Sequence, residues 1–282
     1  MAYGLLAALS WGIAGFGAAL AARRISAFRT VVIGEAAALT GYVVLFLLGP
    51  FSLRGTGPVV WLLMLAGVIG LGGYLALYRG LESGHVGLVS AISASYAGVT
   101  VILSVLVLGE RLTAAAAAGV TLTVAGVVLA SSRASPGAEQ TARATGVAFG
   151  LAAALCYGVG GFLLGRYTRE LGWLVPVVVA RVGAMAVPLA LLATPLRRSA
   201  ASQRGLGIAW AVGVGLVDAA GVAFFARGDQ VGLISITAAS SSAFPIIPLL
   251  GGLVLLHERI ARWQAVGVVL ILAGLVLLGA GS

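Results

Sequence analysis

Gly4-Leu-Leu-Ala-Ala-Leu-Ser-Trp-Gly12 returns 146 residues later as Gly150-Leu-Ala-Ala-Ala-Leu-Cys-Tyr-Gly158. Working outward, Val86-Gly-Leu-Val-Ser90 has its echo in Val231-Gly-Leu-Ile-Ser235. Leu108-Gly-Glu-Arg-Leu112 has its echo in Leu256-His-Glu-Arg-Ile260, at an offset of 148. The glycines that follow, Gly119 and Gly126, match Gly267 and Gly274 at the same offset. Apolar segments resemble one another by chance, but two acid-Arg pairs with the same trailing glycines do not. The chain is read as two related halves, 1–131 and 145–282, joined by a polar linker over 132–144.

Each half is almost entirely apolar. The 282 residues are 61% hydrophobic and 9% charged, against about a quarter charged in ordinary soluble domains. A water-soluble globule of this composition could not cover its own surface, so lipid is the expected solvent. Ten runs reach the roughly 20 residues that span a bilayer. They cover 2–22, 28–49, 59–80, 86–108, 113–131, 145–167, 172–194, 206–227, 231–256 and 261–280. Helix is required there, because lipid satisfies no backbone N–H or C=O. The runs are too long and too uniformly apolar for a β-barrel. Five spans in each half force the second half to insert upside down. Inverted repeats of this kind are typical of secondary transporters, with the site near the midplane between the halves. The expected fold is therefore all-α: ten transmembrane helices as two inverted five-helix repeats around a central cavity.

The motifs at 109–113 (Gly-Glu-Arg-Leu-Thr) and 257–260 (His-Glu-Arg-Ile) each lie between the fourth and fifth spans of a half. Ala180-Arg181 opens an apolar run in the seventh span, and Pro245 and Pro248 fall in the ninth. With these features the chain resembles the EamA-type permeases of the drug/metabolite transporter superfamily. The resemblance implies a basket of ten helices with a cavity lined by spans 1, 3, 4, 6, 8 and 9. It implies export of amino acids and other metabolites, or movement of sugars, nucleotide-sugars or cationic compounds; alternating access is expected from the repeat, and proton coupling is an option raised by a carboxylate inside a span. It also implies a multi-pass protein of the inner (plasma) membrane with both termini cytoplasmic. The arginines oppose that orientation: with Arg181 left out as intramembrane, it places 5 of them inside and 11 outside, contrary to the positive-inside rule.

All 17 basic residues are Arg, set singly or in pairs at span ends, which suits topology and lipid headgroups better than nucleic acid. With no Lys, a Schiff-base chromophore and a Walker A loop are excluded. No paired-carboxylate, HExxH or nucleophile-elbow motif appears, so an enzyme is not expected and no cofactor is required. Cys156 is a lone residue in an apolar run and fits no metal spacing. The expected partners are a small-molecule substrate and membrane lipid. A lipid or lipid-linked-substrate flippase of the same fold is the alternative, and a membrane-embedded enzyme a weaker one.

Ionisable groups inside spans are the sharpest site signals, because each is expensive at the bilayer centre. Glu35 and Arg181 are repeat mates, about 10–13 Å deep from opposite faces. They are expected to act as structural or gating charges. Asp218, midway along the eighth span, is the candidate for proton coupling or cation binding. Trp11 and Tyr157 are repeat mates in the first and sixth spans; Gly70, Tyr74 and Tyr78 share a face of the third. Ser93 and Tyr96 in the fourth span, and Ser241 and Phe244 in the ninth, complete the expected cavity wall. Trp61, Trp173, Trp210 and Trp263 read as interfacial anchors. Glu110-Arg111 and Glu258-Arg259 read as capping or intrahelical charge pairs.

Overall fold

In the computed structural model, residues 1–82, 89, 92–131, 140–192, 204–247 and 262–281 are described. All regular structure among them is helical. The helices are α1 (Ala2–Ile25), α2 (Ala27–Leu48), α3 (Val60–Glu82), α4 (Tyr96–Leu108), α5 (Ala114–Ser131) and α6 (Gln140–Arg166). They continue with the single turn α7 (Thr168–Leu171), then α8 (Leu174–Leu192), α9 (Arg204–Val231), α10 (Ile234–Ser241) and α11 (Arg262–Gly281). Among the described residues, four segments are long and apolar enough to cross a membrane: Phe28–Leu48, Gly57–Leu77, Thr145–Arg166 and Gly205–Val231. Ala2–Gly15, Ile92–Leu108, Ala114–Leu129, Leu174–Leu189 and Ala265–Leu278 are shorter apolar helices. The outward surface is apolar, with Leu48 83% and Leu106 76% exposed. Lipid is the medium in which such a surface is stable.

Helix ends follow local chemistry. Gly49-Pro50 stops α2, since Pro supplies no N–H and the Gly49 cap is extended. Gly109 ends α4 at φ 65°, the left-handed region that favours glycine, with its amide bonded to the Ser104 carbonyl. Apart from the interrupted spans, two boundaries differ from the sequence expectation by four residues or more. Helix α6 begins at Gln140, so the end of the expected linker is already helical. Helix α9 runs on to Val231, beyond the expected end at 227, which brings Asp229 inside a helix.

Two expected spans are interrupted. Residues 92–94 are helical, Ser95 is a turn, and α4 starts at Tyr96. Helix α10 ends at Ser241, four turn residues follow, and 246–247 are helical again. Both breaks are held by bonds three residues apart: Gly98 N to Ser95 O, Phe244 N to Ser241 O and Ile247 N to Phe244 O. Pro245 removes one donor from the second break.

Packing joins the helices most extensively as α1 with α9, α3 with α6, α3 with α8, α2 with α9 and α5 with α11, with smaller contacts of α4 on α6 and α10 and of α2 on α8. Glycines set the separation. A Cβ on Gly67 would stand 1.7 Å from the Ala180 carbonyl oxygen, and one on Gly215 2.2 Å from that of Gly34. In the fifth pair, Cβ atoms on Gly119 and Gly126 would stand 2.8 and 2.7 Å from the carbonyls of Gly274 and Gly267. Such backbone-to-backbone approach is how helices associate where no hydrophobic force drives them together.

At the Met1 end the loops interlock. Phe51 packs edge-on against Trp173 at 6.0 Å, and Arg169 donates to the Gly232 carbonyl at 2.6 Å. Glu110 accepts from the amides of Ile234 (2.9 Å) and Ser235 (3.2 Å) and from the Ser235 hydroxyl (2.5 Å). A carboxylate from the loop after α4 thus caps the N-terminus of α10, where four helical donors otherwise go unmet. This corrects the intrahelical alternative for Glu110; Glu258 and Arg259 lie outside the described residues.

Candidate functional site

Between the helices lies a cavity of about 250 Å3. Its floor is aromatic. Trp11 on α1 meets Phe225 on α9 at 5.6 Å and Tyr96 on α4 edge-on at 6.4 Å. Tyr157 on α6 stands edge-on to both Tyr96 (6.4 Å) and Tyr74 on α3 (5.4 Å). Phe244, in the break after α10, completes this wall. From there the described lining runs along α1 to Ala18, along α2 to Thr30 and along α9 to Val214, away from the Met1 end. Beneath the floor the packing is dense: Ala226, Asp229, Ala238, Ser240 and Ser241 are fully buried.

One wall carries three charges. Arg181 on α8 forms an ion pair with Glu35 on α2 through Nη1, and with Asp218 on α9 through Nη2 at 2.8 Å. The Tyr74 hydroxyl donates to the other Asp218 oxygen at 2.6 Å. The Tyr42 hydroxyl, on the face of α2 that carries Glu35, donates to the Ala219 carbonyl. Glu35 and Arg181 are buried, and Asp218 is 14% exposed. Such groups persist in an apolar interior only when paired and hydrogen-bonded. Two carboxylates face one guanidinium, so the ionised triad carries a net charge of −1. Glu35 Oε2 has no hydrogen-bond partner, and neither has Trp11 Nε1. An acceptor and a donor therefore remain available beside the cavity.

Of the residues singled out in the sequence, Trp11, Tyr74, Tyr96, Tyr157, Phe244, Glu35, Arg181 and Asp218 line this one space. Ser93 and Ser241 are buried but outside the described lining. Ser241 donates to the Ala238 carbonyl at 3.0 Å and lies 2.7 Å from the Tyr96 hydroxyl, so it orients the ring from behind. Short hydroxyl side chains readily turn back onto their own helix, which removes them from the cavity. The Tyr78 side chain lies outside the described residues. Arg181 and Tyr74 hold both oxygens of Asp218, the candidate coupling acid of the sequence. The interior partners Tyr42, Val222 and Phe225 were missed. Their spacing was a usable signal: Tyr42 is seven residues beyond Glu35, while Val222 and Phe225 are four and seven beyond Asp218, on the same helix faces.

A solved structure described only as "Crystal structure of protein" superposes with a TM-score of 0.74. It is 21% identical, over 98% of this chain and 94% of that one, a likeness that speaks for the fold. No curated protein matches the sequence. The sequence pattern of the EamA-like transporter family matches residues 1–132 and 144–280. The chain is an integral membrane protein and belongs to the EamA-like transporter family.

Proposed function

We propose that the protein is a secondary transporter that exports small amine-bearing metabolites, amino acids among them, by alternating access. The observation that carries this reading is the acidic, aromatic cavity. An excess carboxylate and several ring faces favour a cationic nitrogen, through charge and cation–π attraction. Arg181 is the group that would meet a carboxylate on the same solute. The volume falls below the range usual for drug-sized ligands, which favours a solute of amino-acid size.

The ten-span inverted repeat belongs to the same reading. Its support is that the paired contacts exchange under the sequence offsets. Gly12 approaches Ile247 and the Phe244 carbonyl, as Gly158 approaches Val99 and the Tyr96 carbonyl. Glu35 meets its own repeat mate Arg181, at an offset of 146. The breaks beside Tyr96 and Phe244 fall at equivalent places, as expected where broken helices flank a transport site. The proposed setting is an inner (plasma) membrane with both termini cytoplasmic. The sealed Met1 end then faces the cytoplasm, and the cavity belongs to an outward-directed state.

The test is a thermostability screen of purified protein in detergent against amino acids, monoamines and neutral analogues. Amine-bearing solutes should raise Tm in wild type and not in Glu35→Gln. Equal shifts from neutral analogues, or shifts that persist in Glu35→Gln, would overturn the assignment of the cavity.

A further inference from the structure

Helix α9 carries a second buried carboxylate, eleven residues beyond Asp218, that the central cavity does not use. Asp229 is 0% exposed, and neither carboxylate oxygen has a hydrogen-bond partner. Helix α6 crosses directly over it at Gly165. A Cβ there would stand 2.5 Å from Oδ2 and 3.0 Å from Cγ, so any side chain at 165 would push the carboxylate aside. Thr237 of α10 packs beside the neighbouring Gly228; its hydroxyl donates to the Leu233 carbonyl at 3.2 Å and also faces the Asp229 carboxylate, outside direct hydrogen-bond geometry.

The charged and titratable groups around Asp229 are otherwise engaged. Glu110, from the loop after α4, caps α10 with both oxygens. Its like charge opposes an anion at Asp229. Arg169 on α7 is the opposing cation, and its guanidinium donates to Gly232. Tyr96 on α4 faces Asp229 from the cavity side while bonded to Ser241. Tyr3 of α1 packs against Gly228 through its Cβ. On the same helix, Arg227 points outward to Gln230. An ionised carboxylate buried with no direct hydrogen bond to either oxygen is strongly disfavoured, whereas a neutral acid is far cheaper to bury.

We propose that Asp229 is a proton-binding site that locks the Met1 end: it is protonated while α10 is packed on α6 and α9, and loss of the proton unpacks them. The proton leaves to water at that end, and the resulting carboxylate must become hydrated. The lock follows from the packing; only its place in a transport cycle rests on the carrier reading above. The locked arrangement holds one proton more than the opened one. Falling pH therefore favours closure, and rising pH favours opening by up to about tenfold per pH unit. The coupling acid is thereby assigned to Asp229 rather than to the ion-paired Asp218.

The test is hydrogen–deuterium exchange of the full-length protein in lipid nanodiscs between pH 5 and 8, with labelling times scaled to constant intrinsic exchange. Protection of peptides covering residues 228–241 should fall as pH rises, while peptides covering 119–127 stay constant. Asp229→Asn should be protected and flat across the range. Glu110→Gln should lower protection but keep the slope, and Gly165→Ala should lower it at every pH by displacing the carboxylate. A flat wild-type profile would overturn the proposal whether or not the variants fold. So would a wild-type slope in Asp229→Asn, or loss of the slope in Glu110→Gln. A slope without solute exchange in vesicles would keep the lock and remove the carrier; exchange without a slope would do the reverse.

Discussion

Arg181→Gln is the most informative single perturbation of the cavity. It leaves Glu35 and Asp218, 6% and 14% exposed, facing each other without a counterion. Breaking a buried ion pair by removing one partner destabilises by about 3–5 kcal/mol. At roughly 2–4 °C per kcal/mol for a chain of this size, Tm should fall by about 6–20 °C. Differential scanning fluorimetry in detergent reads this directly. The neutral triple variant, Glu35→Gln with Arg181→Gln and Asp218→Asn, should recover most of the loss, since no charge is then orphaned. Exchanging charges at positions 35 and 181 should not recover it, because the new carboxylate at 181 would face Asp218 at the 2.8 Å contact. A single-variant loss below about 1 kcal/mol would show an exposed, screened pair instead. A triple variant as unstable as the single would refute the charge argument.

Further outcomes follow from the same contacts. Gly67→Ala drives a methyl into the Ala180 carbonyl and should cost about 1–3 kcal/mol, whereas Gly70→Ala, with open space at its Cβ, should be close to neutral in the same melting assay. Glu110→Ala uncaps α10 and should lower stability by about 1–3 kcal/mol, read as a lower Tm together with faster amide exchange at residues 234–237. Tyr74→Phe removes the hydroxyl donated to Asp218 but keeps the ring contact with Tyr157. It should leave Tm within a few degrees of wild type and change the concentration dependence of solute-induced stabilisation.

Much of the site was legible because lipid makes ionisable residues conspicuous. Glu35, Arg181 and Asp218 stand out against apolar runs, and each lies on the cavity. Their joining into one triad was not legible, because Asp218 aligns with Gly70 in the other half and the repeat offered no partner for it. Hydroxyl residues misled for a related reason. A serine on an inner helix face reads as cavity lining, yet its short side chain reaches its own backbone first, as Ser241 does. Asp229 was hidden by the span boundary: the expected span ends at Arg227 and leaves Asp229 in a loop, whereas the helix continues and turns Arg227 outward and Asp229 inward. Capping was one of two readings open for Glu110, and the helix it caps lies 124 residues away, a distance no local pattern encodes.

The central claim is that this cavity carries a small amine-bearing solute across the bilayer. Counterflow in proteoliposomes loaded with unlabelled amino acids and amines tests it most directly. The account predicts saturable exchange of one labelled class, abolished in Glu35→Gln while that variant remains folded. No exchange across the panel by folded protein would contradict it, and scrambling of labelled lipid by the same vesicles would put a flippase in its place.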